Sequence, residues 1–201
     1  MKSMVTAFNA EKHEYTMNGF VLPSVTQVIR ALLGDSIWRA TEWHLTRGRA
    51  IHAAAALIAK GKKFEYDLQV AGQIEACKSF FRQNKGIKVL EVEHQYFSQP
   101  YQFAGTVDVV AIIHGRETIA DWKSALSPIA ELQVGAYGIL IPSATHGLVV
   151  ALGDDGIPRQ SEHFKLDRPR REFLALRSAY AVRQRLGLES ATKTEGGNDG
   201  N

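Results

Sequence analysis

Cysteine is nearly absent from this chain: Cys77 stands alone among 201 residues. A lone thiol can form no internal disulfide, and it excludes any self-contained four-cysteine zinc or iron–sulfur site. Its neighbours Ile74, Phe80 and Phe81 read it as a small buried hydrophobe. Long apolar runs are missing too. No stretch approaches the ~20 apolar residues of a membrane span, and Met1-Lys2-Ser3-Met4-Val5 lacks the apolar centre of a signal peptide. The expectation is a soluble protein of a reducing, cytoplasmic compartment with no membrane partner. A strong charge excess is also lacking: 24 basic against 21 acidic residues leave a net +3, which permits a polyanionic partner without demanding one. No internal repeat is visible, so a solenoid is not expected.

What is present is an ordinary globular balance, 45% hydrophobic and 22% charged, in a length that suits one α/β domain. Residues 1–187 read as that domain, and the polar, glycine-rich 188–201 as a disordered tail. Residues 13–22 read as a hairpin turning at Asn18-Gly19. Ser24 and Gln27 form the capping box of a first helix that Gly34 ends. A second helical stretch opens at Ser36 and passes Trp38 and Trp43. After Arg47-Gly48-Arg49 comes an alanine-rich helix closed by Gly61. A helix over 67–84 carries Leu68, Ala71, Ile74 and Phe81 at helical spacing.

The period then changes to that of strands: 88–97, 102–113 and 117–123 are rich in β-branched and aromatic residues. Ser127-Pro128 starts a helix to about Ile141. Strands over 146–152 and 160–166 follow, and Asp167 caps a last helix with Phe173, Leu174, Leu176, Val182 and Leu186 as its apolar stripe. The order predicts an α/β fold with a mixed central sheet flanked by helices and a helical N-terminal subregion.

The segment from Gly105 to Lys123 carries chemistry. If His114-Gly115 forms a two-residue turn, Ile113 pairs with Arg116, and counting outward sets Asp108 opposite Asp121. Opposite residues of an antiparallel pair project from one face, and Lys123, two residues further, joins them. Two facing carboxylates repel unless a cation lies between them. Hard oxygen ligands suit Mg²⁺ or Mn²⁺, which would activate a water and neutralise charge on a scissile phosphate. Lys123 is then placed to orient that water, assist its deprotonation or stabilise the transition state. A solvated sheet face bearing a surface ion pair is the competing reading. The apolar Ile119, Ala120 and Trp122 around Asp121 favour a site, because ionised groups on a central strand need a pairing or functional reason.

At these residues the chain resembles the RecB-like branch of the PD-(D/E)XK nuclease superfamily, over roughly residues 13 to 140. That branch includes phage exonucleases, CRISPR adaptation nucleases and the mitochondrial genome maintenance exonuclease. Leu22-Pro23-Ser24-Val25-Thr26 is similar to the opening of phage and mitochondrial members. Arg47-Gly48-Arg49-Ala50-Ile51-His52 resembles the glycine–histidine helix, Val92-Glu93-His94 the acidic first core strand, and Gly105-Thr106-Val107-Asp108 the metal-ligand motif. Asp121-Trp122-Lys123 resembles the (D/E)-x-K motif, and Gln133-Val134-Gly135-Ala136-Tyr137 the Q-x-x-x-Y helix. The resemblance implies a restriction-endonuclease-like core. It implies metal ligation by His52, Asp108, Asp121 and the Trp122 carbonyl, with Lys123, Asp108, Asp121 and Glu93 as the catalytic set; for Glu93 a ligand, a base behind the ligands and a plain strand-edge charge are all open.

It also implies a Mg²⁺- or Mn²⁺-dependent deoxyribonuclease without an iron–sulfur cluster. Such an enzyme acts as an exonuclease on linear DNA or single-stranded ends in replication, recombination or repair, in a bacterial or phage-infected cytosol. The alternative is an inactive nuclease-like fold that binds DNA or protein. Gln133 and Tyr137, one turn apart, share a helix face and would orient Lys123 or DNA phosphates. Arg47 and Arg49 read as phosphate clamps. The arginines of the last helix read first as a solvated face. Trp38, Trp43 and Tyr101 are candidates for stacking on bases, against core packing as the plainer role.

Overall fold

The computed structural model describes residues 4–34 and 42–188. Trp38, the side chain of Trp43 and the tail beyond Leu188 therefore lie outside the described residues. Three short strands open the chain, β1 (Thr6–Asn9), β2 (Glu14–Met17) and β3 (Phe20–Leu22), in an antiparallel sheet of that order. The β2–β3 hairpin turns at Asn18 and Gly19, with φ of 51° and 83°, the left-handed angles a two-residue turn demands. Sequence reading missed β1, whose residues are mostly exposed and lack alternation. The N-terminal region is thus not purely helical.

Helix α1 (Val25–Leu33) begins at the expected capping box, Ser24 with Gln27, and stops at Gly34. Helix α2 (Glu42–Ala59) differs from expectation. It runs unbroken through Arg47-Gly48-Arg49, which reading by composition took as an interruption. One glycine costs a helix only about 1 kcal/mol, too little to break a segment whose following turns pack through Ile51, Ala54 and Ala55. The next helix is also shorter than expected. A single 3-10 turn at Leu68–Val70, capped by Asp67, precedes α3 (Ala71–Gln83). Leu68, expected on the apolar stripe, is 85% exposed.

The central sheet contains β4 (Lys88–Ser98), β5 (Phe103–Ile113), β6 (Arg116–Lys123), β7 (His146–Leu152) and β8 (Pro158–Gln160), in that spatial order. The β6–β7 pair is parallel, the others antiparallel, and the short β9 (Phe164–Lys165) also pairs with β7. The strand read as one piece over 160–166 is therefore two fragments. Helix α4 (Pro128–Leu140), capped by Ser127, makes the crossover that a parallel pair requires. Helix α5 (Asp167–Arg185) closes the fold. Its N-cap is Leu166 without a side-chain bond, so Asp167 is a first-turn residue rather than the cap. Phe173 is fully buried but Val182 and Leu186 are exposed, so the stripe is covered only over the first half of the helix.

This is a mixed sheet flanked by helices, a restriction-endonuclease-like core as expected. One apolar cluster joins β5, β6 and β7 to α1, α4 and α5 through Val107, Ile119, Val149, Val134 and Phe173. A second joins the same strands to α2 and α3 through Val109, Trp122, Val150, Ala55 and Phe80. Cys77 is wholly buried there, and burial pushes its thiol up to about 12, which keeps it inert. Strand β5 changes sides on the way: Phe103 and Val107 belong to the first cluster, Val109, Ala111 and Ile113 to the second. Strict alternation would send all of them to one face. The reversal falls at Asp108.

Candidate active site

The β5–β6 turn is His114-Gly115, with φ of 50° and 75° and Ile113 paired to Arg116, the register expected from sequence. The ladder runs back only as far as Val109↔Ala120. Beyond it the strands part: β5 stays with β4 to Phe103, and β6 stays with β7 to Lys123. In the fork the Asp108 carboxylate takes the place of a strand partner, its Oδ2 accepting from the Trp122 amide at 2.8 Å. Asp108 and Asp121 are therefore adjacent, through a side chain reaching across a fork rather than through the regular facing pair that counting implied.

The other oxygen of Asp108 meets His52 of α2, Nδ1 to Oδ1 at 3.2 Å. Glu93 arrives from β4. The pairs Val92↔Val109 and His94↔Val107 set it level with Asp108, and its φ of 53° is left-handed, uncommon for a side-chain-bearing residue inside a strand. One ligand atom from each of His52, Glu93 and Asp108 lies within 4.8 Å of the others, the one such group of histidine, cysteine or acid side chains among the described residues. Asp121, fully buried, pairs instead with Lys123, whose Nζ also donates to the Trp122 carbonyl at 3.4 Å. The Trp122 indole turns away, packed edge-on to Phe80 at 5.4 Å.

The electrostatics follow from burial and proximity. Burial works to raise the Asp108 pKa, but His52, Lys123 and the Trp122 amide outweigh it and leave the group below its ordinary value. His52 is raised, chiefly by Asp108. Asp121 is pushed up to about 6 by burial, with Lys123 opposing and Asp108 adding to the rise. Glu93 is pushed up to about 7, first by burial and then by Asp108. Glu93 Oε1 and Asp121 Oδ1 are buried without a hydrogen-bond partner. Two desolvated carboxylates with idle oxygens, beside a third and an imidazole, are a donor set that a divalent cation fits.

Helix α4 supplies the next layer. Gln133 Nε2 donates to the Tyr137 hydroxyl at 2.7 Å, and both are nearly fully buried. The Tyr137 ring lies against Gly105: a Cβ there would stand 2.9 Å from its Cε1. Gln133 Oε1 is also buried and unpartnered. These groups border one cleft of about 660 Å³ with His52, Glu93, Asp108, Asp121 and Lys123. Arg49 borders it too, whereas Arg47 borders a neighbouring cavity and donates to the Gln69 carbonyl at 3.5 Å. The two arginines thus part company.

Several α5 arginines serve the fold: Arg170 donates to the Ala144 carbonyl at 2.6 Å, Arg177 to that of Gln102 at 2.9 Å, and Arg168 pairs with Glu131 and Glu172. His94 turns to Glu91 and stacks beside Tyr96, and Tyr101 sits in the β4–β5 turn outside the cleft. Sequence reasoning missed Phe8 and His13, which line the cleft from the N-terminal sheet. Their aromatic character was visible, but nothing local tied them to residues a hundred positions away.

No protein-family model matches the sequence, and no curated protein matches it. Among solved structures, the chain is similar to an alkaline exonuclease (LHK-Exo) from Laribacter hongkongensis, at 12% identity and a TM-score of 0.40, covering 82% of this chain and 93% of that one. The same exonuclease in complex with dAMP superposes with a TM-score of 0.40 and 12% identity, over 83% of this chain and 94% of that one. Overlaps this loose leave the reading of the site to its own chemistry.

Proposed function

We propose that this chain is a Mg²⁺- or Mn²⁺-dependent deoxyribonuclease that hydrolyses phosphodiester bonds, acting as an exonuclease on linear DNA in replication, recombination or repair. The observation that carries the reading is the convergence of His52, Glu93 and Asp108 within 4.8 Å, beside the buried Asp121–Lys123 pair, with carboxylate oxygens left idle. The motif order from Gly48 to Tyr137 supports the same reading from sequence. No helix among the described residues is long and apolar enough to cross a membrane.

The ligands would be His52, Glu93 and Asp108, with Asp121 and the Trp122 carbonyl at hand. A bound dication supplies Lewis-acid polarisation of the phosphate and a water of lowered pKa. The imidazole nitrogen among oxygen donors favours Mn²⁺ over Mg²⁺. In the hydrolysis itself water adds to phosphorus, the ester P–O bond breaks, and a phosphate monoester and a hydroxyl result.

Lys123 is the group for the charge that develops on the phosphate oxygens, because its ammonium is held in the cleft by Asp121. The neighbouring carboxylates are the acceptors for the proton that water loses. The Trp122 amide fixes Asp108, so that carboxylate needs no reorganisation as substrate arrives. Arg49, at the cleft border, is the phosphate contact. Gln133 and Tyr137 hold the helix face behind the acids.

The test is degradation of end-labelled linear DNA with Mn²⁺ or Mg²⁺, comparing wild type with Lys123→Ala. Loss of roughly a hundredfold or more in rate is expected. Cutting that persists unchanged in the variant sinks the assignment of Lys123. Absence of cutting by wild type with either metal leaves the alternative, an inactive fold that binds DNA or protein. Covalently closed DNA alongside the linear form separates exonuclease from endonuclease action.

A further inference from the structure

The catalytic cleft has one side that the hydrolytic chemistry does not use. It is built by Phe8 of β1, His13 of the β1–β2 turn and Tyr15 of β2, which line the same cleft as His52, Asp108 and Lys123. Their rings form one group: Phe8 to Tyr15 at 4.7 Å, Phe8 to His13 at 5.4 Å and His13 to Tyr15 at 5.5 Å between centroids. Tyr15 is the fixed backing, 1% exposed and wedged on Phe97 at 5.9 Å. Phe8 is half-buried and His13 exposed, so these two present ring surface to the cleft.

The group is tied to the catalytic strand. The Tyr15 hydroxyl bonds Thr106 Oγ1 at 2.8 Å, two residues before Asp108, and the Ala104 amide donates to the Pro23 carbonyl at 3.1 Å. The aromatic wall and the carboxylates therefore keep a fixed separation. His13 holds a φ of 49°, a backbone angle with a cost that the β1–β2 turn has to sustain. Partial burial also lowers the His13 pKa, which favours the neutral ring.

We infer that the N-terminal sheet is a base-binding wall, and that the substrate of the cleft is an unpaired DNA strand whose base stacks on Phe8 and His13 while its phosphate lies at the carboxylates. The inference rests on the nuclease reading and names its substrate class. Two regions of opposite chemistry meet here: a charged floor that suits a phosphate and its cation, and a neutral aromatic side that suits the π-face of a base. In a duplex that face is covered by the neighbouring pairs, and only an unpaired nucleotide offers it. A cleft of about 660 Å³ has the size of a small-ligand site, which suits a splayed nucleotide and excludes a double helix from its interior.

The experiment measures binding of the intact chain to short single-stranded oligonucleotides in chelator, so that no cutting occurs. Each oligonucleotide carries either 2-aminopurine or an abasic site at one end. Wild type binds the base-bearing strand roughly tenfold or more tighter than the abasic one, with quenching of the 2-aminopurine emission on binding. Phe8→Leu keeps the apolar packing on Tyr15 but removes the π-face, and His13→Ala removes the second ring. Both variants are expected to lose the quenching and to narrow the preference for the base. The difference persists at raised salt, since stacking releases no counterions.

Equal affinity of wild type for the base-bearing and abasic strands overturns the inference, as does a Phe8→Leu protein that still quenches fully. If wild type cuts linear DNA while the abasic end changes nothing, the wall is wrong and the nuclease reading stands. If quenching and discrimination appear but no metal supports cutting, the wall stands and the nuclease reading fails.

Discussion

Glu93 combines a left-handed backbone, a carboxylate oxygen with no hydrogen-bond partner and a pKa pushed up to about 7 from an ordinary 4.5. An acid raised in the folded state holds its proton more tightly there than in the unfolded chain. Stability therefore falls as pH rises between about 4.5 and about 7, and the loss is complete above that. His52 acts in the same direction. Its pKa is raised by Asp108, so the stability it contributes is present below its ordinary 6.5 and lost as pH climbs through the folded value. Metal-free Glu93→Gln is accordingly expected to be more stable than wild type at about pH 8, with the gap narrowing towards pH 5. Thermal melts in chelator check this, and a gap that widens on acidification contradicts the burial of Glu93. The same residue explains why the site was only partly legible. Its place in an acidic strand motif was visible, with ligand, base and strand-edge charge all open, but its approach to within 4.8 Å of His52 and Asp108 goes with a backbone angle that no residue pattern announces.

Helix α2 and strand β5 each carry a glycine whose surroundings decide opposite outcomes. At Gly105 a methyl group would stand 2.9 Å from Tyr137 and 3.1 Å from Val25. Gly105→Ala is expected to cost about 1–3 kcal/mol and to push the Gln133–Tyr137 pair off the acids. At Gly48 nothing lies within 4 Å, and the position is inside a helix. Gly48→Ala is expected to stabilise by about 1 kcal/mol while lowering the proposed nuclease activity, because the bare backbone borders the cleft that the proposed DNA substrate would enter. Denaturant melts paired with nuclease assays test both, and a fully active Gly48→Ala removes that glycine from the substrate path. These elements mark what pattern reading can reach. Ser24 with Gln27, Ser127-Pro128 and His114-Gly115 were readable because capping and turn chemistry are local. The break assumed at Arg47-Gly48-Arg49 failed because a single glycine costs a helix too little to interrupt it, and the buried role assumed for Leu68 failed because it falls in a 3-10 turn that leaves it exposed.

Across the whole molecule, the two-faced sheet was legible and its irregularity was not. Apolar runs in β5, β6 and β7 announce strands buried on both sides, as the two core clusters show. The reversal of β5 at Asp108 and the arrival of the N-terminal sheet beside it are products of the assembled fold. A cation bound among the acids offsets their mutual repulsion, so its effect on stability grows with the charge they carry. Mn²⁺ is expected to raise Tm more at about pH 8 than at about pH 5.5, with reversal by chelator. An equal shift at both values counts against Glu93 and Asp121 as the groups being relieved.

The fork between β5 and β6 has a consequence for genetics. Each arm is clamped by its own outer neighbour, β4 on one side and β7 on the other, and the bond from the Trp122 amide to Asp108 bridges the arms at the crotch. Asp108 is thus a latch as well as a proposed ligand. An inactive protein lacking that carboxylate has lost chemistry and closure together, whereas one lacking the Lys123 amine keeps the latch fastened.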